Sequence, residues 1–144
     1  MAEFLFLPSR KGLSAVVWIV EAKSSSPQPG NSLDFDKFIE EIRTKLTNGF
    51  LLGSAIGLGR HTDGAFELPE HFKKLNFKDS SFRFVLVING HKDEWLPPLQ
   101  DALSLALKPV VKTWALPPTS VMVLNHTGAQ QHGLILPTIS TEHQ

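Results

Sequence analysis

The chain has 144 residues, of which 42% are hydrophobic and 19% charged, with 14 Lys and Arg balanced by 14 Asp and Glu and no cysteine. That length is one domain on the usual scale and suffices for a core without staples. The missing cysteine excludes a disulfide framework, a thiolate metal site and a thiol nucleophile, and the even charge balance lacks the basic excess common in dedicated nucleic-acid binders. No apolar run approaches the ~18 residues of a membrane span. The N-terminal Met1–Leu7 stretch has neither the basic n-region nor the apolar length of a secretory leader. The expectation is therefore a cytoplasmic protein that does not enter a membrane, folded as a single domain over 1–144.

Phe4 to Leu7 is short and apolar and stops at Pro8, which predicts a strand. Pro8-Ser9-Arg10-Lys11-Gly12 has turn chemistry. Leu13 to Ala22 is rich in β-branched and aromatic residues and predicts a second strand, nearly all apolar and so central and covered on both faces. Pairing the two outward from the turn sets Glu3 near Trp18. Ser24 to Ser32 concentrates Ser, Pro and Gly and predicts a loop.

Asp34 is suited to cap a helix, with acids following in its first turns. Phe35, Phe38, Ile39, Ile42, Leu46 and Phe50 recur at helical spacing, which predicts a helix continuing to about Leu58 with one buried stripe. Lys45 falls at the edge of that stripe, and Lys37 on the opposite side. Gly49, Gly53 and Gly57 recur every four residues, as expected where a helix ridge packs closely. Gly57-Leu58-Gly59-Arg60-His61-Thr62 matches neither glycine-rich phosphate-loop pattern. Pro69 to Leu75 predicts a short helix and Ser81 to Ile88 a strand ended by Asn89-Gly90. Trp95 to Leu107 predicts a helix interrupted at Lys108-Pro109, with Ser120 to Leu124 as the last strand and no pattern after Gly128.

The order β–β–α–(α)–β–α–β implies an α/β fold, a mixed central sheet flanked by helices. On the second strand, residues two apart share a face, so Glu21 and Lys23 stand together at its end, on the face of Val17 and Ile19. An acid and an ammonium placed where an apolar strand emerges suit a metal ion and a phosphate; the bland alternative is an exposed ion pair.

The phrase Trp18-Ile19-Val20-Glu21-Ala22-Lys23-Ser24-Ser25, preceded by a hairpin and followed by a helix carrying Lys45, resembles the E-x-K strand of the PD-(D/E)xK nuclease superfamily, in a truncated or atypical form. The resemblance implies a restriction-endonuclease-like core and a metal-dependent nuclease hydrolysing the phosphodiester bonds of DNA. It implies Mg²⁺, or Mn²⁺, held by Glu21, the Ala22 carbonyl and an acid from the preceding strand. Glu3, the only acid before Glu21, is the candidate where the family usually has aspartate. In the implied catalytic set, Glu21 acts with Lys23, which orients water or pairs with phosphate, and Lys45, an accessory phosphate contact. The implied partner is nucleic acid, DNA before RNA, with a homodimer or a partner chain completing the site. The alternative is a catalytically inactive nuclease-fold module for binding or oligomerisation.

Of the histidines, His61, His71, His91, His126, His132 and His143 show no paired zinc-ligand spacing. His91-Lys92-Asp93-Glu94 reads as a solvated turn opening a helix, and the His126–His132 stretch as a loop that borders a site at most. Trp95 and Trp114 read as core or subunit-contact aromatics.

Overall fold

The computed structural model describes residues 3–8, 15–28, 30, 32–58, 60 and 80–132. The expected helix over Pro69–Leu75 and the turn between the first two strands lie outside them, as do His61, His71 and His143. The elements are strands β1 (Glu3–Pro8), β2 (Ala15–Lys23), β3 (Ser81–Ile88) and β4 (Val121–Asn125), with helices α1 (Ser32–Gly57), α2 (Leu96–Thr113) and α3 (His126–Gln131). They form one four-stranded sheet in the order β1-β2-β3-β4. β1 is antiparallel to β2, while β2, β3 and β4 run parallel. The mixed α/β class expected from the alternation of strand and helix patterns is therefore present.

Alternation along the strands sorts the side chains into two layers. Val17 and Ile19 of β2, Phe82, Phe84, Leu86 and Ile88 of β3, and Val121 and Val123 of β4 pack against α1 and α2. Ile42, Leu46 and Phe50 supply the stripe from α1, and Leu99, Leu103 and Leu107 the stripe from α2. The other face carries Trp18, Val20, Val85 and Val87, joined by Ala129 of α3. β2 and β3 are thus covered on both sides, which is why both read as continuous apolar runs.

Three expectations need correction. β1 pairs with β2 two residues further along than the short turn suggested: Glu3 lies opposite Val20, not Trp18. The helix after β3 is not broken by Pro109. It runs from Leu96, after a 3-10 turn at Asp93–Trp95, to Thr113. Pro109 and Leu105, whose carbonyl loses its i+4 donor, both lie on the exposed side, where water substitutes for the lost bond. Val110, Val111 and Trp114 beyond the proline still pack on the core, so tertiary contact keeps the helix going. Its end is a Schellman turn: Leu116 N donates to Val111 O at 2.9 Å and Ala115 N to Lys112 O at 3.1 Å, with Ala115 at φ 54. Finally, the last strand is Val121–Asn125 and leads directly into α3, whose N-cap is Asn125 accepting from Gly128 N at 2.8 Å.

β4 is an edge strand, and Gln100 of α2 covers part of that edge. Its Nε2 donates to Val121 O at 2.8 Å and its Oε1 accepts from Val123 N at 2.9 Å. One side-chain amide thus takes the place of a neighbouring strand over two backbone groups. Gln100→Ala leaves both unpaired, and chemical denaturation is expected to show a loss of about 1–3 kcal/mol. A loss under ~0.5 kcal/mol would mean water replaces the amide freely.

Candidate functional site

β2 delivers Glu21 and Lys23 to the end of the sheet on the face covered by α1, the same face as Val17 and Ile19. Glu21 is buried, with 7% exposure, and Lys23 is half-buried. α1 crosses here with Ile42 and Leu46 in the core. Lys45, between them in sequence, therefore leaves the helix at the boundary of core and solvent.

The three side chains meet. Lys45 Nζ lies 3.4 Å from Glu21 Oε2, and Lys23 Nζ lies 3.9 Å from the same oxygen. A fourth residue joins them from α1: Glu41 Oε1 accepts from Lys23 at 3.2 Å and is 3.2 Å from Lys45. Two carboxylates and two ammonium groups thus alternate in a closed ring. Hydrogen bonds from Lys23 and Lys45 hold the Glu41 carboxyl below its ordinary range. Glu41 was not among the expected site residues. Its signal in the sequence was the Glu-to-Lys spacing of four on a helix, which marks solvated helix faces far more often than sites.

Ala22 turns its side chain to the opposite layer, beside Trp18 and Val20; only its backbone belongs to the site. Lys23 O accepts from Asn89 N of the β3 end at 2.9 Å. Neighbouring residues of a strand turn their backbone groups to opposite sides, so Ala22 O points toward the β1 side, past the last described pair, Glu3–Val20. Glu3 is the first residue of β1 and sits in register one position out of step with Glu21. The β1 positions in step with Val17 and Ile19 are Phe6 and Phe4. Among the described residues no group of three His, Cys, Asp or Glu converges as a metal cluster.

A second polar group lies at the same end of the sheet. Ser26 Oγ is 2.9 Å from His91 Nε2. Asn125, at the end of β4, donates to His91 O at 3.1 Å and to Asp93 Oδ1 at 2.6 Å. The expected solvated turn at His91–Glu94 thus has its first residue half-buried and tied to two other loops. Burial pushes the His91 pKa down. The unfolded chain then binds a proton that the folded one resists, so stability falls as pH drops below the unfolded value of about 6.5. His91→Gln is expected to flatten the part of the Tm–pH profile that falls below about pH 6.5; an unchanged slope in the variant would assign it to other groups. His126 and His132 stand apart from this group, and the His132 ring packs 5.8 Å from Trp18.

No family model matches the chain, no curated protein does, and no solved structure does. Among the described residues no helix is long and apolar enough to cross a membrane.

Proposed function

We propose that the chain is a nuclease-like domain that binds DNA and hydrolyses its phosphodiester bonds with a divalent cation. The observation that carries this reading is the meeting of Glu21, Lys23 and Lys45 at one end of the sheet. Parallel strands end there, and α/β folds collect ligands at that edge.

The residues fit a sparse Mg²⁺ site. Glu21 Oε2 faces the two ammonium groups, while no described residue bonds its Oε1. The Ala22 carbonyl lies at the same strand end on the β1 side, and Glu3, in register with Val20 and not with Glu21, starts the neighbouring strand. Mg²⁺ takes one or two carboxylates and completes its shell with water and substrate phosphate. When bound it supplies an acidified water and charge neutralisation at the phosphate. Each ammonium carries three donors. Lys45 spends two on Glu21 and Glu41, which leaves at least one for a phosphate oxygen. Lys23, beside Glu21, holds the attacking water or the charge that develops on phosphate. Lys45 also lines a groove of about 460 Å³ along α1 with Asn48 and Leu52, a path for the strand being held.

A second reading is favoured by the charge ring itself. Lys45 Nζ already sits between two carboxylates, 3.4 and 3.2 Å away, where a cation would otherwise balance them. A catalytically inactive module that keeps the fold and binds DNA or a partner chain needs no more than this. The test is incubation with plasmid, linear duplex and single-stranded DNA, and with RNA, in Mg²⁺, Mn²⁺ or EDTA. Metal-dependent cleavage supports the hydrolytic reading. No cleavage, with a Tm indifferent to Mg²⁺, removes it and leaves the inactive module.

A further inference from the structure

A pocket of about 190 Å³ opens beside the charge ring, between the loop after β2 and the start of α2. Ser26, Gln28, His91, Glu94 and Trp95 supply its polar and aromatic walls. Its volume is below the ~300–1,000 Å³ of sites for drug-sized ligands, so it admits one ring system. The His91 and Trp95 rings stand 5.1 Å apart at 80°. A third ring lying flat against one of them meets the other edge-on, the two favoured aromatic geometries. Ser26 Oγ and His91 Nε2 hydrogen-bond each other at 2.9 Å, which leaves the Ser26 hydroxyl spare hydrogen-bonding capacity at one wall, and Glu94 and Gln28 offer more at the others. Lys92 Nζ lies 5.2 Å from the Trp95 ring centre.

The position ties the pocket to the ring of charges. Lys23 pairs in register with Ile88, and Ser26 and His91 each lie three residues past that pair. The chain from Lys23 to Ser26 spans at most about 11 Å, so the two sites lie within a nucleotide or two of each other along a strand. A planar heteroaromatic ring with donor and acceptor edges, attached to an anion, is a nucleotide. We infer that this pocket receives one unstacked nucleobase of the strand whose phosphate is held by Lys23 and Lys45. The inference rests on the DNA-binding part of the proposed function and not on cleavage.

The test uses the full chain in EDTA, with nucleosides and then a single-stranded oligonucleotide as probes. Adenosine, guanosine, cytidine and thymidine are titrated while tryptophan emission is read; Trp95 is the exposed one, at 38%. Saturable quenching is expected with at least one nucleoside and is lost in Trp95→Ala. Oligonucleotide affinity by anisotropy is expected to fall about 5- to 150-fold in Trp95→Ala, equivalent to the ~1–3 kcal/mol of one base–aromatic stack. Trp95→Phe, which keeps a ring, is expected to retain most of it. Ser26→Ala is expected to change the ranking of the four nucleosides. No quenching by any nucleoside, with Trp95→Ala binding the oligonucleotide as the parent does, overturns the inference. Quenching without metal-dependent cleavage in the separate assay leaves the pocket standing and removes only the hydrolytic reading.

Discussion

Glu21→Gln is expected to abolish Mg²⁺-dependent DNA cleavage, and Lys23→Ala to lower it by about 10²–10³-fold, while both variants fold. The size for Lys23 is that of removing one fixed donor aimed at developing charge. The loss at Glu21 is at least as large, because the same carboxylate both anchors the cation and fixes the two ammonium groups. Glutamine keeps the shape and one acceptor for Lys45, so the thermal midpoint should move by only a few degrees. Lys23 and Lys45 are each partly exposed and retain Glu41 after the substitution, so neither ammonium is left as a buried unpaired charge. Lys45→Ala is expected to cost less activity than Lys23→Ala, since it contacts the site from the helix side. If Glu21→Gln cleaves like the parent, the carboxylate is structural, and the ring of charges is only the seal between α1 and the sheet end.

Much of this site is legible in the sequence. The period of two along Val17, Ile19, Glu21 and Lys23 gave the shared face, and the helical stripe around Ile42 and Leu46 put Lys45 at its edge. Those are local consequences of backbone geometry. What was not legible depended on non-local choices. The pairing offset of β1, which sets where Glu3 falls, is a choice between strands that the period of two within each strand does not decide. Glu41 looked like any solvent-facing acid because its partner Lys23 comes from another element. α3 escaped because His126-Thr-Gly-Ala-Gln-Gln has one apolar position to bury and no period to read; Asn125 starts it by capping, and Ala129 docks it. The pocket at His91 assembles from two segments, 26–28 and 91–99, that no single window of sequence contains.

The ring of charges and the pocket share one dependence. Both need α1 and α2 held in place over the sheet. Ser26 and His91 are anchored by strand ends, but Lys45 and Glu41 move with α1, and Trp95 and Glu94 with the start of α2. The helix pair is tied to the sheet by an aromatic cluster at the far end of α1 from its N-terminus. The Phe50 ring meets Phe82 at 5.0 Å, Phe84 at 5.3 Å and Trp114 at 4.7 Å, all near perpendicular.

Phe50→Ala is therefore expected to be the most damaging single core substitution among the described residues. Phe50 is 1% exposed, so truncation leaves a cavity that β3 on one side and the end of α2 on the other close poorly. Phenylalanine-to-alanine changes in cores cost about 3–5 kcal/mol, and each edge-to-face pair adds about 0.5–1.5 kcal/mol beyond buried area. Against the ~5–15 kcal/mol that holds a domain together, that leaves a marginal fold, with Tm lowered on the order of 10 °C or more. Phe50→Leu keeps most of the volume and loses only the ring contacts, so its loss should be less than half as large. Calorimetry of the two variants measures this. Equal losses would place the stabilisation in volume alone, and a small loss for Phe50→Ala would show that Trp114 swings in to fill the gap. The functional consequence is separate and follows from position. Lys45 is five residues before Phe50 on the same helix, so loosening α1 should lower DNA affinity in EDTA at temperatures below the melting transition, before the sheet itself comes apart.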